Sequence, residues 1–228
     1  MRLAILSDVH ADVAALRDAL ATIERIGADE IVCAGDLVDY GAFPDDTVGL
    51  LRDRGIPCIV GNHDRWGAAA TGPRSGWDPA RGTLEFLKTL PAGLDLERAG
   101  TRVAIRHGTP GSDMKGIWPI HTTADEMRRY LDEVAAPVLV VGHTHIPFCL
   151  EVPGKGWVVN PGALLREPAG RVANKPLLFD AEARRFVKGP GKGGGTFGIL
   201  ELPAMTFAMH RASDGEEVRA IRMRVAGE

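Results

Sequence analysis

Five short apolar runs in this chain each lead into a cluster of Asp, Asn or His, and no other feature limits the fold as strongly. Leu3–Leu6 leads into Asp8-Val9-His10, Glu30–Cys33 into Gly35-Asp36-Leu37-Val38-Asp39, and Pro57–Val60 into Gly61-Asn62-His63-Asp64. Thr101–Arg106 leads into His107-Gly108, and Pro137–Val141 into Gly142-His143-Thr144-His145. Helical spacing separates the first three runs. Asp12 can N-cap a helix carrying Val13, Leu16, Leu20 and Ile23, with Gly27 as its stop; Pro44–Arg54 opens on a proline and closes near Gly55. The resulting β-α-β-α-β order predicts parallel strands joined by right-handed crossovers. In open α/β sheets, ligands bind beyond the C-terminal ends of the strands, which is where the five clusters fall.

The second half changes character. Leu94–Glu97 and Thr101–Arg106 read as a hairpin around Gly100, Thr123–Val134 as a helix and Pro137–Val141 as a buried strand. Later strands are expected at Phe148–Val152, Trp157–Val159, Phe197–Leu202, Met205–His210 and Val218–Met223. Helices early and antiparallel strands late suit one domain, 1–228, of two packed sheets with helices outside. Arg65–Ala80, Gly108–Ile120 and the glycine-rich Gly189–Gly195 read as loops.

Composition removes several function classes. The net charge is −3 and no Lys/Arg block stands out, so strong nucleic-acid binding is not expected. No stretch approaches the ~20 apolar residues of a membrane span, and the N-terminal run is too short for a signal peptide. The three cysteines, Cys33, Cys58 and Cys149, form no Cys-x-x-Cys pair. They read as small buried hydrophobes in a reducing cytoplasm. The residues six positions after them are Asp39, Asp64 and Lys155, not the Arg of a cysteine phosphatase, and no His-Glu-x-x-His is present.

What remains is ligand chemistry. Five of the seven histidines sit in the clusters, a concentration that packing does not explain. Residues two apart on an extended segment point the same way, so Asp8 and His10 can reach one ion, and His143 and His145 can approach the same site. The glycines before Asp36, Asn62 and His143 are expected to let the backbone turn sharply at the rim. His121 and His210 lie outside the pattern and are read as non-ligands. Arg65, Arg74 and Lys115 are read as solvated charges rather than phosphate contacts.

Taken together, Asp8-x-His10, Gly35-Asp36-x-x-Asp39, Gly61-Asn62-His63-Asp64, His107-Gly108 and Gly142-His143-x-His145 resemble the calcineurin-like metallophosphoesterases. Tyr40-Gly41 and Asn160-Pro161-Gly162 look closest to the small single-domain bacterial and archaeal phosphodiesterases of that superfamily. The resemblance runs from residue 1 to about 165. It implies an α/β fold, a four-layer α/β/β/α sandwich of two mixed sheets flanked by helices. It also implies two divalent metal ions. Asp8, His10, Asp36 and His145 would hold one; Asp36 would bridge to the second, completed by Asn62, His107 and His143. A bridging hydroxide would be the nucleophile, His63 the general acid oriented by Asp39, and Asp64 a supporting residue. Mn is the favoured metal for this thiolate-free set, with Fe, Ni, Co or Zn as alternatives.

The implied activity is hydrolysis of a small phosphodiester in the cytoplasm. The alternatives are a silent scaffold subunit of the same fold, a nucleotide or dinucleotide hydrolase, and a phosphomonoesterase. Protein phosphatases carry arginines where Tyr40 and Asp64 stand here. The apolar C-terminal strands offer a surface for a second copy. After His10 the chain has Ala11-Asp12 where relatives often have Gly-Asn, which removes an expected substrate contact and leaves Asp12 as a helix cap.

Overall fold

The computed structural model describes residues 1–69, 80–166, 177–180, 185–188, 195–218 and 221–225. The first half contains β1 (Arg2–Leu6), α1 (Val13–Ile26), β2 (Glu30–Cys33), α2 (Pro44–Asp53), α3 (Asn62–Ala68), α4 (Arg81–Thr89), β3 (Gly93–Arg98) and β4 (Thr101–Arg106). Then come α5 (Ala124–Val134), β5 (Val138–Val140), β6 (Phe148–Val152), β7 (Gly156–Asn160), β8 (Leu177–Asp180) and β9 (Arg185–Lys188). The chain continues through β10 (Thr196–Glu201), β11 (Thr206–Arg211), β12 (Glu217–Val218) and β13 (Ile221–Arg224). One sheet runs β12-β11-β10-β1-β2 and the other β13-β6-β7-β5-β4-β3, while β8 pairs with β9. Both large sheets are mixed: β1 is parallel to β2 but antiparallel to β10, and β5 is parallel to β4 and β7 while β6 is antiparallel to β7.

Strand alternation builds the layers. Leu3 and Ile5 of β1 face the second sheet and pack with Val103, Ile105, Val138 and Val140. Ala4 and Leu6 point the other way, onto Leu16, Leu20 and Ile23 of α1. On the far side, Leu139 and Val141 meet Met127 and Leu131 of α5. Each such Leu or Ile contributes roughly 1.5–3 kcal/mol through removal from water. The predicted α/β/β/α sandwich is therefore present, with an inter-sheet core between two helix-to-sheet cores. Asp12 caps α1 by accepting from Ala15 N–H at 2.9 Å, and Gly27 ends it at φ 82°. The three cysteines are free and buried. Among the described residues no helix is long and apolar enough to cross a membrane.

Three expectations need correction. Pro57–Val60 is not a full strand: it touches β2 through a single parallel bridge, Cys58 to Cys33, before α3 begins. Arg65–Ala80 is not wholly loop, because α3 extends to Ala68; Arg74 and the remainder, 70–79, lie outside the described residues. Val218–Met223 is not one strand: Val218 pairs with β11 in the first sheet, and Ile221–Arg224 pairs in parallel with β6 in the second. Helix α4 and the β8–β9 pair were not expected at all. Of Gly189–Gly195, only Gly195 is among the described residues.

Candidate metal centre

The loops after β1, β2, β4 and β5, with the start of α3, meet at one edge of the sandwich. Asp8, His10 and His145 each present a ligand atom within 4.8 Å of the others, and so do Asp36, His107 and His143. Asn62 Oδ1 lies 3.1 Å from His107 Nε2 and 2.8 Å from His143 Nδ1, which puts it with the second group. Asp36 stands between the two: its Oδ2 is 3.7 Å from His10 Nε2 and 3.1 Å from His107 Nε2. All seven candidate ligands are thus brought together. His121 is exposed, and His210 stacks on Phe197 at 5.6 Å; neither belongs to the two ligand groups.

The donor set fits divalent ions. His10 Nδ1 and His107 Nδ1 are engaged by the carbonyls of Val38 and Ala34 at 3.2 and 2.7 Å, which leaves each Nε2 for a ligand. Backbone and carboxylate partners of this kind fix ring orientation at metal sites. His10 Nε2 and His145 Nε2 face each other at 3.1 Å, close enough for one cation to take a lone pair from each. Asp8 Oδ2 accepts from Ser7 Oγ at 2.6 Å and from His143 N–H at 3.1 Å. Its other oxygen, Oδ1, is fully buried with no hydrogen-bond partner, yet it lies 3.2 Å from His145 Nε2. An orphaned buried carboxylate oxygen is costly unless a charge meets it.

His63 lies beside these groups rather than among them. Its Nδ1–H donates to Asp39 Oδ2 at 2.7 Å, and its Nε2 meets the Tyr40 hydroxyl at 3.3 Å. Asp64, fully buried, accepts from the N–H groups of Leu37, Val38 and Gly61 at 2.7, 3.2 and 2.9 Å, tying the β2 loop to the start of α3. Burial and then the nearby Asp36 push its carboxyl up to about 7, against those three donors.

Backbone geometry is unusual here. Asp8, His10, Ala11, Asp36, Asp39, Tyr40, His143 and His145 all have φ between 49° and 74°. Non-glycine residues adopt this left-handed region sparingly, and each costs on the order of 1 kcal/mol or more. The glycines serve differently than expected. Gly35 does turn, at φ 94°, but Gly61 is extended at φ −98°. A Cβ on Gly61 would lie 2.1 Å from Asp36 Oδ1, and one on Gly142 would lie 2.0 Å from Ser7 Oγ. Both are needed for close approach, not for turning.

Sequence reasoning missed Ser7, which orients Asp8, and Asn160, whose Nδ2 donates to Gly142 O at 2.7 Å. It also missed Tyr40 and Trp66, whose rings flank His63. Asp12 is more than a cap, since Arg166 donates to it from Nε and Nη2 at 3.0 and 2.9 Å. Arg65 pairs with Asp113 at 2.7 Å and Lys115 with Glu126 at 3.5 Å, which engages both cations.

The charges of the site residues set a test. Burial opposes charge on His107, but Asp36 and Asp8 outweigh it and push the imidazole up to about 10. Burial instead pulls His10 down to about 4, against the attraction of Asp36. Asp36 itself is held below its usual range, because His107 and His10 overcome the effect of burial. At neutral pH His107 therefore carries a proton that a metal must displace. Calorimetric metal titration at pH 7 in buffers of different ionisation enthalpy is expected to show at least about one proton released per chain. Apparent affinity then rises about tenfold per pH unit for each proton displaced, from pH 7 towards 10. Metal binding without proton release would contradict this.

Known proteins share both sequence and geometry. A family model described as the calcineurin-like phosphoesterase superfamily domain matches residues 1–183. A Methanocaldococcus jannaschii protein, described only as uncharacterized, is 29% identical over 208 residues, covering 78% of this chain and 82% of its own. A crystal structure of a metallophosphoesterase from Sphaerobacter thermophilus aligns at TM-score 0.63 and 24% identity, over 92% of this chain and 88% of that one. A solved structure described as a novel archaeal phosphodiesterase aligns at TM-score 0.53 and 17% identity, over 92% and 99%. At these identities the structural likeness speaks for the fold.

Proposed function

We propose, because the chain belongs to the calcineurin-like phosphoesterase superfamily, that it is a phosphodiesterase with two divalent metal ions as cofactors. The observation that carries this reading is the position of Asp36 Oδ2, which faces donor nitrogens of both ligand groups at 3.7 and 3.1 Å. Asp8, His10, Asp36 and His145 would hold one ion, and Asp36, Asn62, His107 and His143 the other. Bound there, the ions would supply Lewis acidity, bringing the pKa of water towards neutrality and offsetting phosphate charge. Manganese suits the mixed N/O set, which contains no thiolate.

The chain's own part lies with His63. Asp39 fixes its Nδ1 and orients the ring, and Nε2 delivers a proton to the departing alcohol oxygen. A diester is favoured over a monoester on charge. A monoester brings a second negative charge, and the nearby cations Arg65 and Lys115 are already paired with Asp113 and Glu126. The substrate is a small phosphoester acted on in the cytoplasm, by a chain read as a single domain.

Protein loaded with manganese and assayed on diesters, monoesters and dinucleotides is expected to turn over a diester fastest. Full loading with no turnover on any of them would return the scaffold reading, and a monoester preference would return a phosphomonoesterase.

A further inference from the structure

Two loops at the site edge leave large apolar side chains in water. Among the described residues the exposed large apolar side chains are Tyr40, Phe43, Met114, Trp118 and Ile120. All five belong to the segments after β2 and β4, the strands that lead to Asp36 and His107. Contiguous exposed apolar side chains mark binding surfaces, and of these five Tyr40 lies directly against His63.

Two rings bracket the proton donor. Tyr40 lies 4.7 Å from the His63 ring at 55°, and Trp66 lies 4.9 Å from it at 69°. The Tyr40 hydroxyl is 3.3 Å from His63 Nε2, the one ring nitrogen that Asp39 leaves open. Tyr40 also packs on His10 at 4.6 Å, and its N–H donates to Asp39 Oδ1 at 2.8 Å. Asp39 and Tyr40 both have left-handed backbone, and the Tyr40 ring stays 54% exposed while it contacts His10 and His63.

An alcohol protonated by Nε2 must bring its oxygen within about 3 Å of that nitrogen. Its body must then lie along Tyr40 and Trp66. We propose that Tyr40 and Trp66 form the leaving-group subsite and that the subsite takes a flat aromatic ring, so the departing alcohol carries an aryl or nucleobase group. This rests on the phosphodiesterase reading above. Aromatic stacking contributes more than area alone and is geometrically selective. A leaving group extended by further phosphates would need free cations, whereas Arg65 and Lys115 are paired.

The test is calorimetric binding of dibenzyl phosphate and di(cyclohexylmethyl) phosphate to manganese-loaded protein. The two probes share charge and reach but differ in ring flatness. Dibenzyl phosphate is expected to bind about tenfold tighter. Tyr40→Leu and Trp66→Leu should each shrink that ratio at least about threefold with metal content unchanged, whereas Tyr40→Phe should keep it. Equal affinities in the unaltered protein, or a ratio untouched in both leucine variants, would overturn the proposal and leave the exposed rings as a protein-docking face. Diester turnover without discrimination would remove the aromatic subsite alone. If neither probe binds and no diester is cleaved, the phosphodiesterase reading falls, and the subsite with it.

Discussion

Asp36→Ala is expected to lower kcat/KM for a diester by at least about 10³-fold, roughly 4 kcal/mol of transition-state stabilisation. The size follows from its position. Asp36 Oδ2 faces nitrogens of both ligand groups, so its loss damages both at once. Its Oδ1 accepts from His63 N–H at 2.9 Å, so the start of α3 loses an anchor as well. Without the carboxylate the main attraction that keeps His107 protonated disappears. Proton release on metal loading should fall with it. Bound metal is read by elemental analysis. A variant that kept two ions per chain and turned over within tenfold of the parent would end the shared-ligand assignment.

His63→Ala should retain both ions and still lose about 10²–10⁴ of the rate, the range expected for a general acid. His63 contacts the ligand groups only through its backbone N–H and ring edges, and its side chain is committed to Asp39 at 2.7 Å. The defect should depend on the leaving group. An alkyl alcohol needs a proton to depart and should suffer most, whereas p-nitrophenolate departs unaided and should suffer least. Asp39→Asn should repeat the trend at smaller size by loosening the ring. Loss of metal in His63→Ala, or an equal defect across leaving groups, would remove His63 from the acid role.

The parts of this fold that speak through composition were legible. Asp and His beyond strand ends are rare unless something binds there, and the apolar period of α1 has a cap at Asp12 and a stop at Gly27 to frame it. Other parts depend on three-dimensional circumstance. Helix α4 is only nine residues long and starts after Ala80, which offers no capping side chain to mark its beginning. Pro57–Val60 has strand-like residues but turns into α3 at once, leaving a single bridge. No Gly or Pro separates Val218 from Ile221, so Val218–Met223 reads as one strand, although Val218 pairs in one sheet and Ile221–Arg224 in the other. The closeness of Gly61 to Asp36 was invisible, since residues 25 positions apart meet only after β2 and α3 are placed. Tyr40 was missed for a related reason: nothing in its identity announces the left-handed backbone that swings its ring over His63.

The eight left-handed residues around the site carry a consequence for descent. Seven of them place a candidate ligand, the partner of the proposed proton donor or a ring beside it; only Ala11 has no proposed role. Replacement by glycine at the other seven would relax the main chain while erasing a functional side chain. Change to glycine at these positions would therefore ease folding even where it removed the proposed turnover. A lineage released from selection for catalysis would drift downhill towards an inert copy of the same sandwich, its sheets intact and its rim silent.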